Sequence, residues 1–296
     1  MLKITSALSL FSIAFSSMVG PVMAQQDFSD VEIKSTAVAD GLYMLQGAGG
    51  NIGLSVGEDG AFVIDDQFAP LSDKIKAAIA AITDKSVEFV LNTHYHGDHT
   101  GGNEAFGKAG AHIVAHDNVR ARLDSDERVP DVALPVITFS KKISFYRNGQ
   151  TINVFHQKNA HTDGDAVVSF PDLNVIHMGD LMFSGFYPYI DVDAGGSING
   201  YITALKNVHR FANDETKIIP GHGPLSSRAD VATLIELLES VKARIQPLID
   251  QGMDEDEIVA RDPLAATNGQ YGNGFINGER MTRIAVRSLT RDAAAK

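Results

Sequence analysis

A six-residue segment of this chain carries four side chains of the types that bind metal ions in proteins. It reads His-Tyr-His-Gly-Asp-His over residues 94–99 and directly follows the apolar run Val87–Leu91, which predicts a β-strand. The loop after that strand therefore presents three imidazoles and one carboxylate, and Gly97 lets its backbone approach closely. Neutral imidazole and carboxylate groups suit zinc, and also iron or manganese. We predict a metal site at this loop.

Three further segments offer ligands that are distant from this loop in sequence. One loop cannot surround two ions alone, so distant groups must complete the coordination. His161 occurs in His-Thr-Asp-Gly-Asp, Asp180 in His-Met-Gly-Asp and His222 in Pro-Gly-His-Gly-Pro, and we expect each at the end of a predicted strand. The predicted metal ligands are His94, His96, Asp98, His99, His161, Asp180 and His222.

Apolar periodicity and turn residues predict the elements that position these groups. Short apolar runs between glycine and acidic turns predict an antiparallel meander, followed by helices and further strands. The second half repeats this scheme and ends in a long helix and a final C-terminal helix. Strands between helices in two similar halves predict an α/β protein with a four-layer α/β/β/α sandwich. The predicted strands are 42–46, 52–56, 61–64, 87–91, 113–115, 143–145, 152–155, 167–170, 175–177 and 217–219, and the predicted helices are 72–82, 118–124, 200–211 and 229–249.

Composition excludes several classes of function. The chain has 296 residues, a formal net charge of −12 and no cysteine. Without cysteine, a metal must be bound through imidazole and carboxylate, and thiolate ligands, cysteine nucleophiles and disulfides are excluded. Because phosphate binding relies on clustered Lys and Arg, the acidic balance argues against nucleic acid or an anionic membrane surface as a partner. We expect a small-molecule substrate, and the sequence leaves the oligomeric state open.

The N-terminus has the pattern of a secretory signal peptide. Lys3 precedes a short apolar run, and the small-residue end Val22-Met23-Ala24 predicts cleavage after Ala24. The apolar run is shorter than the roughly 20 residues that a membrane span needs. We therefore expect a signal peptide over 1–24, a single hydrolase domain over 25–296, a periplasmic or secreted protein, and no membrane association after cleavage.

Taken in order, these motifs resemble those of the metallo-β-lactamase fold superfamily. The match runs from about residue 41 to 224 and begins with Val-Ile-Asp-Asp over 63–66, before the ligand segments named above. The resemblance implies the four-layer sandwich and a centre of two divalent metal ions, for which we expect zinc. It implies that His94, His96 and His161 hold one ion, that Asp98, His99 and His222 hold the other, and that Asp180 bridges them with a shared water or hydroxide. Asp98 would also orient the hydroxide or relay a proton, which makes it the predicted catalytic residue.

Other residues near the motifs are assigned supporting roles. Asp65 or Asp66 is expected to hold the ligand loop, because a ligating histidine needs a partner for its second ring nitrogen. Among the histidines outside the motifs, His116 and His177 are the nearest to them. An aromatic run at 183, 186, 187 and 189 either lines the cleft or packs in the core, and Asn199 either contacts a substrate oxyanion or begins a helix.

The departures from the family pattern bear on the substrate. Asp180 stands where some β-lactamases have a cysteine ligand, and Leu-Met-Phe-Ser over 181–184 lacks the lysine that many use to hold the carboxylate of the drug. We expect an exported dinuclear hydrolase that opens a cyclic amide (β-lactam), a lactone or a related ester. The alternatives are a phosphodiesterase or thioesterase of the same fold, and a metal-binding protein without turnover.

Overall fold

Short strands of apolar and β-branched residues, separated by glycine and acidic turns, build two β-sheets. The computed structural model describes residues 27–294, and its main unit begins at Val31. The expected signal peptide at 1–24 lies outside the described residues. None of the helices in the described part is both long and apolar enough to cross a bilayer.

The first sheet has seven strands in sequential order. Strands β1 to β4 run antiparallel, as the predicted meander requires, whereas β4 to β7 run parallel and are joined by helical crossovers. Parallel neighbours need such crossovers because a short hairpin cannot join them. The strands are β1 (Lys34–Ala39), β2 (Leu42–Gln46), β3 (Ile52–Gly57), β4 (Gly60–Ile64), β5 (Val87–Leu91), β6 (His112–His116) and β7 (Ile137–Phe139).

The second sheet has six strands in the order β13-β12-β11-β10-β9-β8. Its pairs are antiparallel except β11 with β12, which are parallel and are connected through a helix. The strands are β8 (Lys142–Arg147), β9 (Gln150–His156), β10 (Ala166–Phe170), β11 (Val175–Phe183), β12 (Lys217–His222) and β13 (Ser226–Ser227).

Helices cover the outer faces of both sheets. Helices α3 and α4 contact β5, β6 and β7, while α5, α6 and α9 pack over the second sheet. The helices are α1 (Ser72–Ala80), α2 (Gly97–Thr100), α3 (Asn103–Lys108), α4 (Asp117–Asp124), α5 (Ile198–Phe211), α6 (Arg228–Asp250), α7 (Glu255–Ala260), α8 (Ala265–Tyr271) and α9 (Gly278–Ala294).

The alternation of side chains along each strand produces two hydrophobic cores. Val168 packs with Phe62 and Leu91 between the sheets, whereas its neighbour Val167 packs with Leu205 on the helical side of the second sheet. Both faces of the central strands are therefore buried, and the four-layer α/β/β/α prediction is confirmed.

The main error of the sequence analysis lies in β11. We expected a strand over 175–177 with Asp180 beyond its end, but β11 continues to Phe183 and Asp180 lies inside it. Gly179 has a φ of 51°, and the pairing with β12 shifts register on either side of it. Glycine permits that backbone, so the strand bends at this point and does not stop. The short elements β1, β7, β13, α2, α3, α7 and α8 were also missed, and α2 begins within the predicted loop at 94–99.

Candidate metal centre

All seven predicted ligands come together at one edge of the sandwich. The loop after β5 brings His94 and His96, the latter at the N-cap of α2, and α2 itself carries Asp98 and His99. His161 lies between β9 and β10, Asp180 lies in β11, and His222 is the last residue of β12. The side chains form two groups: the first cluster is His94, His96, His161 and Asp180, and the second cluster is Asp98, His99 and His222.

The first cluster is a compact set of imidazole nitrogens. His96 Nδ1 lies 3.1 Å from His94 Nε2 and 2.9 Å from His161 Nε2. The three nitrogens thus converge from two segments, the loop after β5 and the loop between β9 and β10. His94 and His161 are buried, whereas His96 is partly exposed.

The second cluster lies on the other side of Asp180. His222 Nε2 is 3.3 Å from Asp98 Oδ2, and His99 Nε2 is 3.6 Å from the same oxygen. Asp98 and His222 keep 24% and 27% of their side-chain surface exposed, whereas His99 is fully buried. Solvent, and therefore a substrate, reaches the centre beside Asp98 and His222.

Asp180 faces both clusters with different oxygens. Its Oδ2 lies 3.5 Å from His161 Nε2 and 3.7 Å from His94 Nε2. Its Oδ1 lies 3.0 Å from His99 Nε2 and 3.3 Å from His222 Nε2. The carboxylate therefore stands between the clusters, in the position of a bridging group.

Two buried polar atoms in this region test whether a metal fits. His99 Nε2 and Asp180 Oδ1 are both buried and make no well-aligned hydrogen bond within the described chain. An unsatisfied buried polar atom costs roughly 1–3 kcal/mol, which a protein seldom tolerates without a reason. A divalent cation accepts lone pairs from an imidazole nitrogen and a carboxylate oxygen alike, so the donor set fits a metal ion.

The protonation states of the first cluster favour metal binding at neutral pH. Burial lowers the pKa of His161 to about 4, and burial together with the nearby His99 holds the pKa of His94 well below its usual value. Both rings are therefore neutral at pH 7 in the metal-free protein. A neutral imidazole has a lone pair available, so these rings need not release a proton before they bind an ion.

The second cluster behaves in the opposite way. Burial lowers the pKa of His222, but the Asp180 carboxylate and the close contacts with Asp180 and Asp98 outweigh burial and raise it to about 9. Asp180 and Asp98 likewise raise the pKa of His99 well above its usual value against the effect of burial. In the metal-free protein these rings carry protons that a bound metal ion would replace.

Asp65 holds the ligand loop, as the sequence predicted. Its Oδ2 accepts a hydrogen bond from His99 Nδ1 at 2.7 Å and one from Thr93 Oγ1 at 2.8 Å, while Oδ1 accepts from Thr93 N at 2.7 Å. Asp66 instead accepts from Gly102 N and contacts no ligand ring in the hydrogen bonds of the described residues. Asp65 thus fixes His99 with Nε2 directed at Asp180.

Two supporting groups were missed by the sequence analysis. Asp191 Oδ2 lies 3.0 Å from His96 Nε2 and accepts a hydrogen bond from Tyr95 Oη at 2.7 Å. The main-chain oxygen of Tyr189 accepts a hydrogen bond from His161 Nδ1 at 2.8 Å. The only sequence signal is an aspartate in an irregular segment, and nothing there distinguishes Asp191 from the exposed Asp193.

The nearby histidines lie outside the clusters. His177 is buried in β11, donates to Asn51 O and accepts from Gly179 N, so it supports the backbone next to Asp180. His116 caps α4 by accepting from Asn118 N and stacks on His156 with ring centroids 3.7 Å apart. Of the two, only His177 adjoins the centre.

The aromatic run divides between cleft and core. Phe183 stacks on His222 with ring centroids 4.9 Å apart, and the Tyr189 ring lies 5.8 Å from His96 and 5.7 Å from His161. Tyr187 is buried on the helical side, where its hydroxyl meets Thr267, and Phe186 packs on Gly274. Two of the four rings therefore face the centre.

Asn199 has no part in the centre. Its side chain donates to Asp292 and accepts from Lys242, and its neighbour Ser197 is the N-cap of α5. The interpretation as the start of a helix is correct, and the oxyanion interpretation is wrong.

Comparison with known proteins finds a match at the level of a family. The family model described as the metallo-beta-lactamase superfamily matches residues 46–222, a range that contains both clusters. Two solved structures share the fold. A metallo-beta-lactamase from Pontibacter korlensis is 18% identical with a TM-score of 0.63, over 70% of this chain and 99% of that chain. The DIM-1 metallo-beta-lactamase is 17% identical with a TM-score of 0.62, over 71% and 99%.

Curated relatives carry different names. The alpha subunit of 2,4-dinitroanisole O-demethylase from a Nocardioides species is 25% identical, over 68% of this chain and 60% of that protein. The type 2 metallo-beta-lactamase of Bacillus cereus is 24% identical, over 52% and 59%. Hydroxyacylglutathione hydrolase from a Polaromonas species is 30% identical, over 52% and 55%. The matches thus span less than two thirds of the length of each relative.

Proposed function

This chain belongs to the metallo-beta-lactamase superfamily, and from that premise we propose that it is a hydrolase that uses two divalent metal ions, zinc being the expected metal. His94, His96 and His161 hold the first ion, and Asp98, His99 and His222 hold the second. The observation that carries the proposal is the position of Asp180, whose two oxygens face the two clusters separately.

The chemistry of the metals and that of the side chains are complementary. Two divalent ions, when bound, act as Lewis acids that polarise a substrate oxygen and lower the pKa of a water molecule toward neutrality. Asp98 lies at the exposed side of the second cluster, and its pKa is held below the usual value because His99 and a hydrogen bond from His222 outweigh burial. Its carboxylate is therefore ionised at neutral pH and able to orient a water molecule or accept its proton.

The rings around the centre favour a substrate with an apolar part. Phe183 stands beside the second cluster and Tyr189 beside the first, while Phe275, which is 73% exposed, lies edge-on to Tyr189 with ring centroids 6.1 Å apart. No lysine accompanies Phe183 in the segment 181–184. We propose a lactone, a cyclic amide such as a β-lactam, or a related ester, bound mainly through apolar contacts.

A thioesterase is the second candidate. The relative with the highest identity of the three curated proteins given above is named as a hydroxyacylglutathione hydrolase. The same two clusters would serve a thioester carbonyl as well as an ester carbonyl. A phosphodiesterase is less well supported, because the chain is acidic overall and phosphate binding relies on clustered cations.

A hydrolysis screen tests the proposal. The zinc-loaded protein is assayed against lactones, β-lactams, thioesters and phosphodiesters, with Asp98→Asn as the test variant and Asp214→Asn as the control. Asp214 pairs with Arg228 on the surface, so its change should leave turnover intact. Turnover of one class that falls with Asp98→Asn supports the proposal, whereas a metal-loaded protein without turnover of any class refutes it.

We also propose that the protein is exported and that its partner is a small molecule. Export rests on the signal-peptide pattern of residues 1–24 and the small-molecule partner on the acidic composition. Fractionation of cells that express the full chain tests export, and a protein retained in the cytoplasm at full length would refute it.

A further inference from the structure

The segment 189–197, called here the support loop, contacts two of the three histidines in the first cluster. Asp191 Oδ2 lies 3.0 Å from His96 Nε2, and the main-chain oxygen of Tyr189 accepts a hydrogen bond from His161 Nδ1 at 2.8 Å. The main-chain N–H of Asp191 also donates a hydrogen bond to the main-chain oxygen of His161, at 2.9 Å. The orientation of both rings therefore depends on where this loop lies.

The support loop is a tight turn closed by its own hydrogen bonds. Asp191 Oδ1 accepts from Ala194 N at 3.0 Å, and Gly196 N donates to Asp191 O at 2.8 Å. A Cβ atom at position 196 would lie only 2.1 Å from His161 O, so the loop presses directly on the ligand segment. On one side the loop is held to the ligand segment, where Asp163 N donates to Ala194 O at 2.9 Å and Ser197 N donates to Ala160 O at 2.8 Å, and its other side is left for a contact from outside the loop.

The C-terminal helix α9 supplies that outside contact. Arg291 donates from Nη1 to Val192 O and from Nη2 to Gly196 O at 2.6 Å, so one guanidinium spans both sides of the turn. Ser197 Oγ donates to Asp292 at 2.7 Å at the end of the loop. Helix α9 lies wholly beyond residues 46–222, to which the family model is confined.

We propose that Arg291 is a positioning residue for the first metal cluster. Its planar fork fixes the carbonyls of Val192 and Gly196, which places Asp191 against His96 and the Tyr189 carbonyl against His161. The planar guanidinium donates two hydrogen bonds in a fixed geometry, so little side-chain entropy is lost for each hydrogen bond. Lysine instead donates from a single nitrogen atom. The inference rests on the proposed function only in taking the first cluster as a metal site.

Zinc affinity in the absence of substrate tests this role. In a His222→Ala background, which isolates the first cluster, Arg291→Met should weaken zinc binding by about 10-fold, the lower end of the loss seen when groups behind a ligand are removed. The matched control is Arg283→Met on the same helix, because Arg283 pairs with Glu255, Asp256 and Glu279, which lie outside the support loop. Equal zinc affinity with and without Arg291→Met, or an equal loss in the control, overturns the proposal.

Three further measurements keep the test decisive. If Arg291→Met does not fold, Arg291→Lys replaces it and should show a smaller loss. Asp191→Asn combined with Arg291→Met should lose less zinc affinity than the sum of the two single losses, because both changes act on His96, and full additivity contradicts the proposal.

If the protein binds no zinc at all, the proposed function fails, but NMR of the metal-free protein still decides this inference. Arg291→Met should then mix the His96 tautomers and speed amide exchange over 190–197, and an unchanged spectrum overturns it.

Discussion

Asp65 Oδ2 lies 2.7 Å from His99 Nδ1, and this contact leaves His99 Nε2 as the ring nitrogen that faces Asp180. Asp65→Asn should therefore weaken the second metal ion by about 10- to 100-fold, because a carboxylate behind a ligating histidine fixes its orientation and basicity. Zinc affinity in a His161→Ala background measures this effect. Asp66→Asn is the control, because Asp66 is also buried but contacts Gly102 N. An equal loss in both variants would show that the loss of a buried carboxyl group beside the loop, and not the orientation of His99, matters.

The two clusters should respond differently to pH. The pKa of His222 is raised to about 9 and that of His161 is lowered to about 4, so at pH 7 His222 must lose a proton to bind an ion and His161 need not. Raising the pH from 6.5 to 9 should strengthen zinc binding at the second cluster more than at the first. Chelator competition across this range, in the His161→Ala and His222→Ala backgrounds, gives the two slopes. Equal slopes would contradict the assignment.

The contribution of His161 and His222 to the stability of the metal-free protein should be greatest near pH 6.5. The raised pKa of His222 contributes stability that is complete below the unfolded value of about 6.5 and is lost as the pH rises through about 9. The lowered pKa of His161 removes stability as the pH falls from about 6.5 to about 4. Denaturant melts of the metal-free protein and of His222→Gln across this pH range give the free energy of unfolding on both sides of pH 6.5. His222→Gln should flatten the alkaline side only, and an unchanged alkaline slope would contradict the raised pKa.

A cation at position 183 should improve the binding of a β-lactam carboxylate. The Phe183 ring stacks on His222, so a side chain at this position faces the centre. A charge-assisted hydrogen bond contributes roughly 1.5–3 kcal/mol, which corresponds to a KM lower by about 10- to 150-fold. Phe183→Lys should lower the KM for penicillins in steady-state assays, whereas Phe183→Leu should not. A low micromolar KM in the unaltered protein would mean that another group already holds the carboxylate.

The exposed ring of Phe275 should contribute to the binding of apolar substrates. It lies edge-on to Tyr189, which itself borders the first cluster. An aromatic contact contributes about 0.5–1.5 kcal/mol, so Phe275→Ala should raise KM by about 2- to 10-fold for substrates with an aryl or acyl group. Tyr146→Ala is the control, because Tyr146 is 77% exposed on β8. If Phe275→Ala raised the KM of apolar substrates no more than that of small substrates, this role would be contradicted.

The residues of the two clusters could be predicted from the sequence because each belongs to a short motif. The loop at 94–99 combines three histidines, an aspartate and a glycine, and His161 and His222 each have a glycine in their segments. The carboxyl ends of neighbouring parallel strands meet at one edge of a sheet, so β11 and β12 bring Asp180 and His222 together, and the loop after β5 of the other sheet meets them at the same edge of the sandwich. Local patterns and simple sheet geometry were enough for that step.

The supporting groups could not be predicted because they act through tertiary contacts alone. Asp191 reaches His96 from a segment that is 95 residues distant, and the Arg291 that holds its loop is a further hundred residues along the chain. Neither side chain has a periodicity or a neighbour that marks it. The extension of β11 past Gly179 was missed for a related reason, since a glycine inside a strand predicts a break as readily as a bend.

The number of metal ions bound per chain tests the central claim most directly. Purified protein loaded with zinc and freed of excess should contain two equivalents, and His222→Ala and His161→Ala should each retain about one tightly bound ion, because each variant removes a ligand of only one cluster. Asp180→Ala should weaken both ions, since its two oxygens face both clusters. One equivalent of zinc in the unaltered protein, with the same value in His222→Ala, would contradict the two-metal centre.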